Sequence, residues 1–82
     1  MAASDFTPEE LAEASHYRLE IQWSNEDQVF LVSLPELEGI RTHAETITGA
    51  AARGVELAAE YLYGMRSLGL PVPAPRSVVI AS

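Results

Sequence analysis

Eighty-two residues are enough for one domain, and a chain this short hides a smaller share of its surface than a large protein does. With no cysteine it lacks disulfide staples and thiolate metal sites, and no stretch approaches the roughly 18 apolar residues of a membrane helix. Twelve acids stand against five arginines, for a net charge of -7, and Arg18, Arg41, Arg53, Arg66 and Arg76 are spread singly, which argues against direct nucleic-acid binding by this chain alone.

Met1 to Asp5 holds no basic residue ahead of an apolar stretch, so it does not read as a secretory signal, and a cytoplasmic location is expected. Thr7-Pro8-Glu9-Glu10 is a helix start: Thr7 caps, Pro8 suits the first helical position, and Glu10 completes a capping box. This helix runs to about Ser15, with only Leu11 and Ala12 to dock, and residues 1–16 are read as an extension of a domain spanning 17–82.

Tyr17 to Trp23 alternates strictly, with Tyr17, Leu19, Ile21 and Trp23 on one face and Arg18, Glu20 and Gln22 on the other, as in a half-buried strand. Ser24 to Asp27 is a polar turn, and Gln28 to Leu34 is a second strand rich in Val and Phe. A four-residue loop at Ser24–Asp27 sets Trp23 opposite Gln28, Ile21 opposite Phe30, Leu19 opposite Val32 and Tyr17 opposite Leu34. The opposite face then carries Val29 and Leu31, apolar residues where water is expected, beside Glu20 and Gln22.

Pro35 to Gly39 is a loop, and Ile40 to Ala44 is a short third strand. Thr46 caps a long helix from Ile47 to about Leu68, whose predicted buried stripe is Ile47, Ala51, Gly54, Val55, Ala58, Leu62 and Met65. Gly69 ends it, Pro71, Pro73 and Pro75 enforce an extended passage, and Ser77 to Ala81 is a last strand. The expected fold is α+β: a β-β-β-α-β order, with one long helix on a four-stranded mixed sheet, after a short N-terminal helix.

These residues resemble the HicB antitoxin family in four places. Tyr17-Arg18-Leu19-Glu20-Ile21 resembles its opening strand, and Val32 to Ile40 resembles its leucine-proline-acid-leucine-proline-glycine-cysteine loop. Thr42-His43-Ala44-Glu45-Thr46 resembles its threonine-x-glycine-x-threonine approach to the helix, and Gly69 to Pro75 resembles its glycine-x-x-x-proline-x-proline exit. Glu38, Ile40 and Ala44 replace the family's proline, cysteine and glycine, and Gly49 stands where a capping glutamate is usual. Full-length members carry a C-terminal ribbon-helix-helix or helix-turn-helix domain. This sequence ends at Ser82, so it reads as a short, stand-alone member without operator binding. The resemblance implies a truncated ribonuclease H-like fold and the masking of a small, basic, double-stranded-RNA-binding-like ribonuclease toxin. The alternative is a stand-alone homo-oligomeric module, regulatory or structural, with no toxin.

Catalysis is not expected. Ribonuclease H chemistry needs carboxylates converging on metal ions, whereas alternation puts Glu20 on the sheet face away from the helix that carries Glu56 and Glu60. His16 and His43 lack partners at ligand spacing, and no cofactor site is apparent. Gly49, Gly54 and Gly64 lie within a helical pattern rather than a phosphate loop. Trp23, Tyr61 and Tyr63 are either interface anchors or core. The candidate contact surface, for a toxin or for a second copy in a dimer or larger assembly, is Glu20, Gln22, Val29, Leu31, Glu36, Glu38 and His43.

Overall fold

Both helices begin at the caps that the sequence supplies. In the computed structural model, which describes residues 6–75, helix α1 (Pro8–Ala14) opens with a complete capping box: Thr7 Oγ1 accepts from the Glu10 backbone N–H at 3.1 Å, and Glu10 Oε1 accepts from the Thr7 N–H at 2.8 Å. Helix α2 (Ile47–Ser67) opens at Thr46, whose hydroxyl accepts from the Gly49 N–H at 2.9 Å. It closes in a Schellman arrangement, with Gly69 at φ 71°, Gly69 N–H donating to Arg66 O and Leu70 N–H to Met65 O.

Seven residues cannot hold a helix by themselves, so α1 depends on docking. It docks more firmly than Leu11 and Ala12 alone suggest. Ala14 is buried, Leu11 and Phe6 pack against the same core, and Glu13 receives a two-pronged ion pair from Arg66 of α2 at 2.9 and 2.7 Å.

The described sheet is antiparallel in the order β1-β2-β3, from β1 (Glu20–Ser24), β2 (Val29–Leu34) and β3 (Ile40–Ala44). The predicted hairpin register is displaced by two residues. Trp23 pairs with Phe30, Ile21 with Val32 and Glu20 with Ser33, because the turn occupies Asn25 to Gln28 rather than Ser24 to Asp27. Gln28 closes this turn in the left-handed region at φ 58°, at a cost of about 1 kcal/mol. Its N–H donates to Ser24 O at 2.8 Å, while the Asp27 N–H donates to the Ser24 hydroxyl at 3.2 Å. The displacement carries Tyr17 past the end of β2, so Tyr17 and Leu19 precede β1 instead of lying in it. Phe30, expected beneath the helix beside Ile21, is half-buried near the turn, edge-on to Trp23 at a centroid distance of 4.9 Å.

Pro35–Leu37 form a 3₁₀ turn, and Glu38 and Gly39 then take φ values of 63° and 68° to swing the chain into β3. The core gathers Val32, Leu34 and Leu37 beneath Ala50, Gly54, Ala58, Ala59 and Leu62 of α2. The predicted stripe holds at Gly54, Ala58 and Leu62 and shifts elsewhere: Ala50 and Ala59 are buried, and Ile47 is 59% exposed. Small residues at Ala50, Gly54 and Ala58 admit the sheet closely; a methyl group added to Gly54 would come within 2.7 Å of Leu19 Cδ2 and 3.1 Å of Val32 Cγ1.

Beyond α2, the extended passage Leu70–Pro75 returns to the core, with Val72 packed against it and the Tyr17 hydroxyl donating to the Pro73 carbonyl. The predicted last strand, Ser77–Ala81, lies outside the described residues, and with it the mixed character of the sheet. No described helix is long and apolar enough to cross a membrane.

Candidate functional site

Because side chains alternate across a strand, α2 covers only one face of the sheet. Val32, Ala44 and Leu19 point toward it, as the surroundings of Gly54 and Gly49 show. The other face is open and reads as cross-strand rows. Glu20, Ser33 and Arg41 form one row, Gln22, Leu31 and His43 the next, and Ser24 and Val29 the third. Leu31 sits at the centre, 38% exposed, and Val29 is half-buried behind it. A shallow hollow lies between the first two rows, where Ser33 is the small residue.

Five of the seven predicted contact residues therefore share this face: Glu20, Gln22, Val29, Leu31 and His43. Displacing a register by two leaves every side chain on its own face, so these five keep the face that strand alternation gives them. Arg41 and Ser33 belong to the same surface and were missed. The alternation of Ile40, Thr42 and Ala44 against Arg41 and His43 was the signal that would have found Arg41. Arg41 is exposed, and its guanidinium has no ion-pair or hydrogen-bond partner among the described residues. Glu20 lies 3.5 Å from Arg18 Nε in an exposed pair.

Glu36 and Glu38 do not join that face. Glu36 lies in the 3₁₀ turn and accepts from the Arg18 backbone N–H at 3.1 Å. Glu38 lies in the turn before β3, beside Tyr61 of α2, whose hydroxyl is shut off from water. Burial first, and the Glu38 carboxylate second, push the Tyr61 phenol pKa up. Next to it, a groove between β3 and α2 is lined by Thr42, Arg53, Glu56, Leu57 and Glu60. The outer edge of β3 thus runs past Glu56 and Glu60, one helical turn apart, with β3 unpaired on that side among the described residues.

Glu20 and the pair Glu56 and Glu60 lie on opposite sides of the sheet, and the described residues contain no cluster of three His, Cys, Asp or Glu able to hold a metal ion. His16 is exposed at the end of α1, away from His43. Trp23 is 45% exposed but lies on the helix side of the sheet, against Phe30 and beyond the reach of α2. Tyr63 is 62% exposed and meets Phe6 edge-on at 6.4 Å, which ties the segment before α1 to α2. No family model, no curated protein and no solved structure matches the chain.

Proposed function

We propose that this chain is a protein-binding domain resembling the HicB antitoxins, which masks a small basic ribonuclease in the cytoplasm. The observation that carries this reading is the outer edge of β3, unpaired among the described residues, with Glu56 and Glu60 outnumbering Arg53 along its groove with α2 and Glu38 in the turn before it. An unpaired edge offers backbone hydrogen bonds to an added strand, and an acidic flank selects a cationic one. The net charge of -7 speeds encounter with such a partner.

The truncated ribonuclease H-like fold belongs to the same proposal. The Tyr17–Pro73 hydrogen bond brings the exit segment alongside Arg18, Glu20, Pro35 and Glu36, at the head of β1. The fourth strand which that fold calls for, Ser77–Ala81, lies outside the described residues.

The test starts from the neighbouring reading frames. A small basic protein encoded beside this chain should degrade RNA when expressed alone and stop doing so when this chain is co-expressed. A Glu56→Lys, Glu60→Lys double variant should lose that protection while staying folded by circular dichroism. A genome with no such neighbour, or a basic neighbour whose cleavage is untouched by an equimolar amount of this chain, removes the antitoxin reading and leaves the stand-alone oligomeric module.

A further inference from the structure

The open sheet face is complementary to itself, and we propose that it joins two copies of this chain about a two-fold axis running along β2. Glu20 and Arg41 occupy the same row on the two flanking strands, with Ser33 of β2 between them. Neighbouring strands lie about 4.8 Å apart, so the two side chains spring from positions about 10 Å apart and do not pair within one chain.

Of the in-plane axes that bring this face against its copy, two keep the strands aligned, one across them and one along them. An axis across the strands lays β1 on β1 and β3 on β3, so Glu20 and Arg41, which stand on different strands, never face each other across it. An axis along β2 lays β1 over β3 and keeps every row level with itself. Glu20 of each copy then meets Arg41 of the other, twice, and Gln22 meets His43, twice. Leu31 meets Leu31 on the axis, with Val29 on Val29 behind it. This is the isologous pattern of a closed dimer, in which residue i contacts residue j and j contacts i.

Three independent features agree with that axis. The central row places Leu31, the exposed apolar residue of this face, on the symmetry line. The hollow over Ser33, beside the leucine pair, leaves room between Glu20 and Arg41 for the side chains that cross from the other copy. Arg41 has no partner among the described residues, while the Glu20 carboxylate has capacity beyond its exposed contact with Arg18. The dimer buries the face opposite α2, leaves the edge of β3 free, and needs no second protein. It therefore goes beyond the proposed masking function and stands or falls separately from it.

The experiment is light scattering on the full chain at high micromolar concentration, with a charge-swap cycle. The wild type should show the mass of two chains. Glu20→Arg and Arg41→Glu should each raise the dimer dissociation constant tenfold or more, because each sets like charges against each other across the axis. The double variant, Glu20→Arg with Arg41→Glu, should recover the dimer, because the swapped charges meet again only between copies. Leu31→Glu, which brings two carboxylates together on the axis, should give the mass of one chain with an unchanged circular dichroism spectrum. A monomeric wild type overturns the proposal. So do single swaps that leave the mass unchanged, and a double swap that stays as dissociated as its parents. Should Leu31→Glu unfold, the two exposed swap positions decide the matter alone.

Discussion

Gly54 and Gly64 lie on the same helix, and the same substitution should move the protein in opposite directions at the two positions. Around Gly64 an added Cβ meets nothing within 4 Å. Gly64→Ala should therefore return only the intrinsic helical gain, up to about 1 kcal/mol. At Gly54 the new methyl meets Leu19 Cδ2 at 2.7 Å and Val32 Cγ1 at 3.1 Å. Leu19 is half-buried and swings aside at modest cost, but Val32 is buried in the central strand and held by β-branching. Such overpacking costs about 1–3 kcal/mol. The propensity gain is common to both variants, so the difference between them isolates the contact of helix with sheet. For a domain of this size that difference amounts to a gap on the order of 10 °C in Tm. Thermal unfolding followed by circular dichroism, at one fixed chain concentration because association shifts Tm, should place Gly64→Ala above the wild type and Gly54→Ala below it. If the two variants melt together, α2 does not rest on Leu19 and Val32 as described.

Leu34→Ala empties a fully buried position in the central strand and should cost about 2–5 kcal/mol, read as a lower urea midpoint with an unchanged slope; a cost well under 1 kcal/mol would place the core elsewhere. The Arg66 guanidinium on Glu13 holds that carboxyl below its ordinary 4.5, so its contribution is fully present above about pH 4.5 and fades as pH falls through the lower folded value. Glu13→Gln should accordingly flatten the acid limb of the stability profile and leave the region above pH 7 less stable by a constant amount, whereas an unchanged acid limb would remove the Glu13–Arg66 link between the helices.

Much of the architecture was legible because local chemistry fixes it. Thr7 with Glu10, Thr46, and Gly69 mark helix ends through hydrogen bonds that residue type alone supplies. The hairpin register was not legible, for a reason rooted in periodicity. A pattern of period two cannot tell apart registers that differ by two, and the tie was broken by Gln28 adopting a left-handed conformation that no glycine announces. The helix face was also misjudged in part. Sequence reading places Gly54, Ala58 and Leu62 correctly but starts the stripe at Ile47, whereas close approach of helix to sheet selects the small Ala50 there. Of the candidate surface, the open-face residues followed from alternation. Glu36 was separated from them by the 3₁₀ turn and Glu38 by its own positive φ, neither of which alternation describes.

The bond from Tyr17 to Pro73 spans 56 positions, and the pair Glu13–Arg66 spans 53. The hairpins of the sheet, by contrast, close over a four-residue turn and a five-residue loop. Chain closure over long separations is entropically slow, so the meander and α2 can assemble through local contacts before either long tie forms. Ties absent from the folding transition state leave the refolding rate nearly untouched and act on the rate of opening. The single phenol of Tyr17, joining the segment after α1 to the segment after α2, thus works as a clasp whose strength is felt in how long the folded molecule lasts rather than in how quickly it is made.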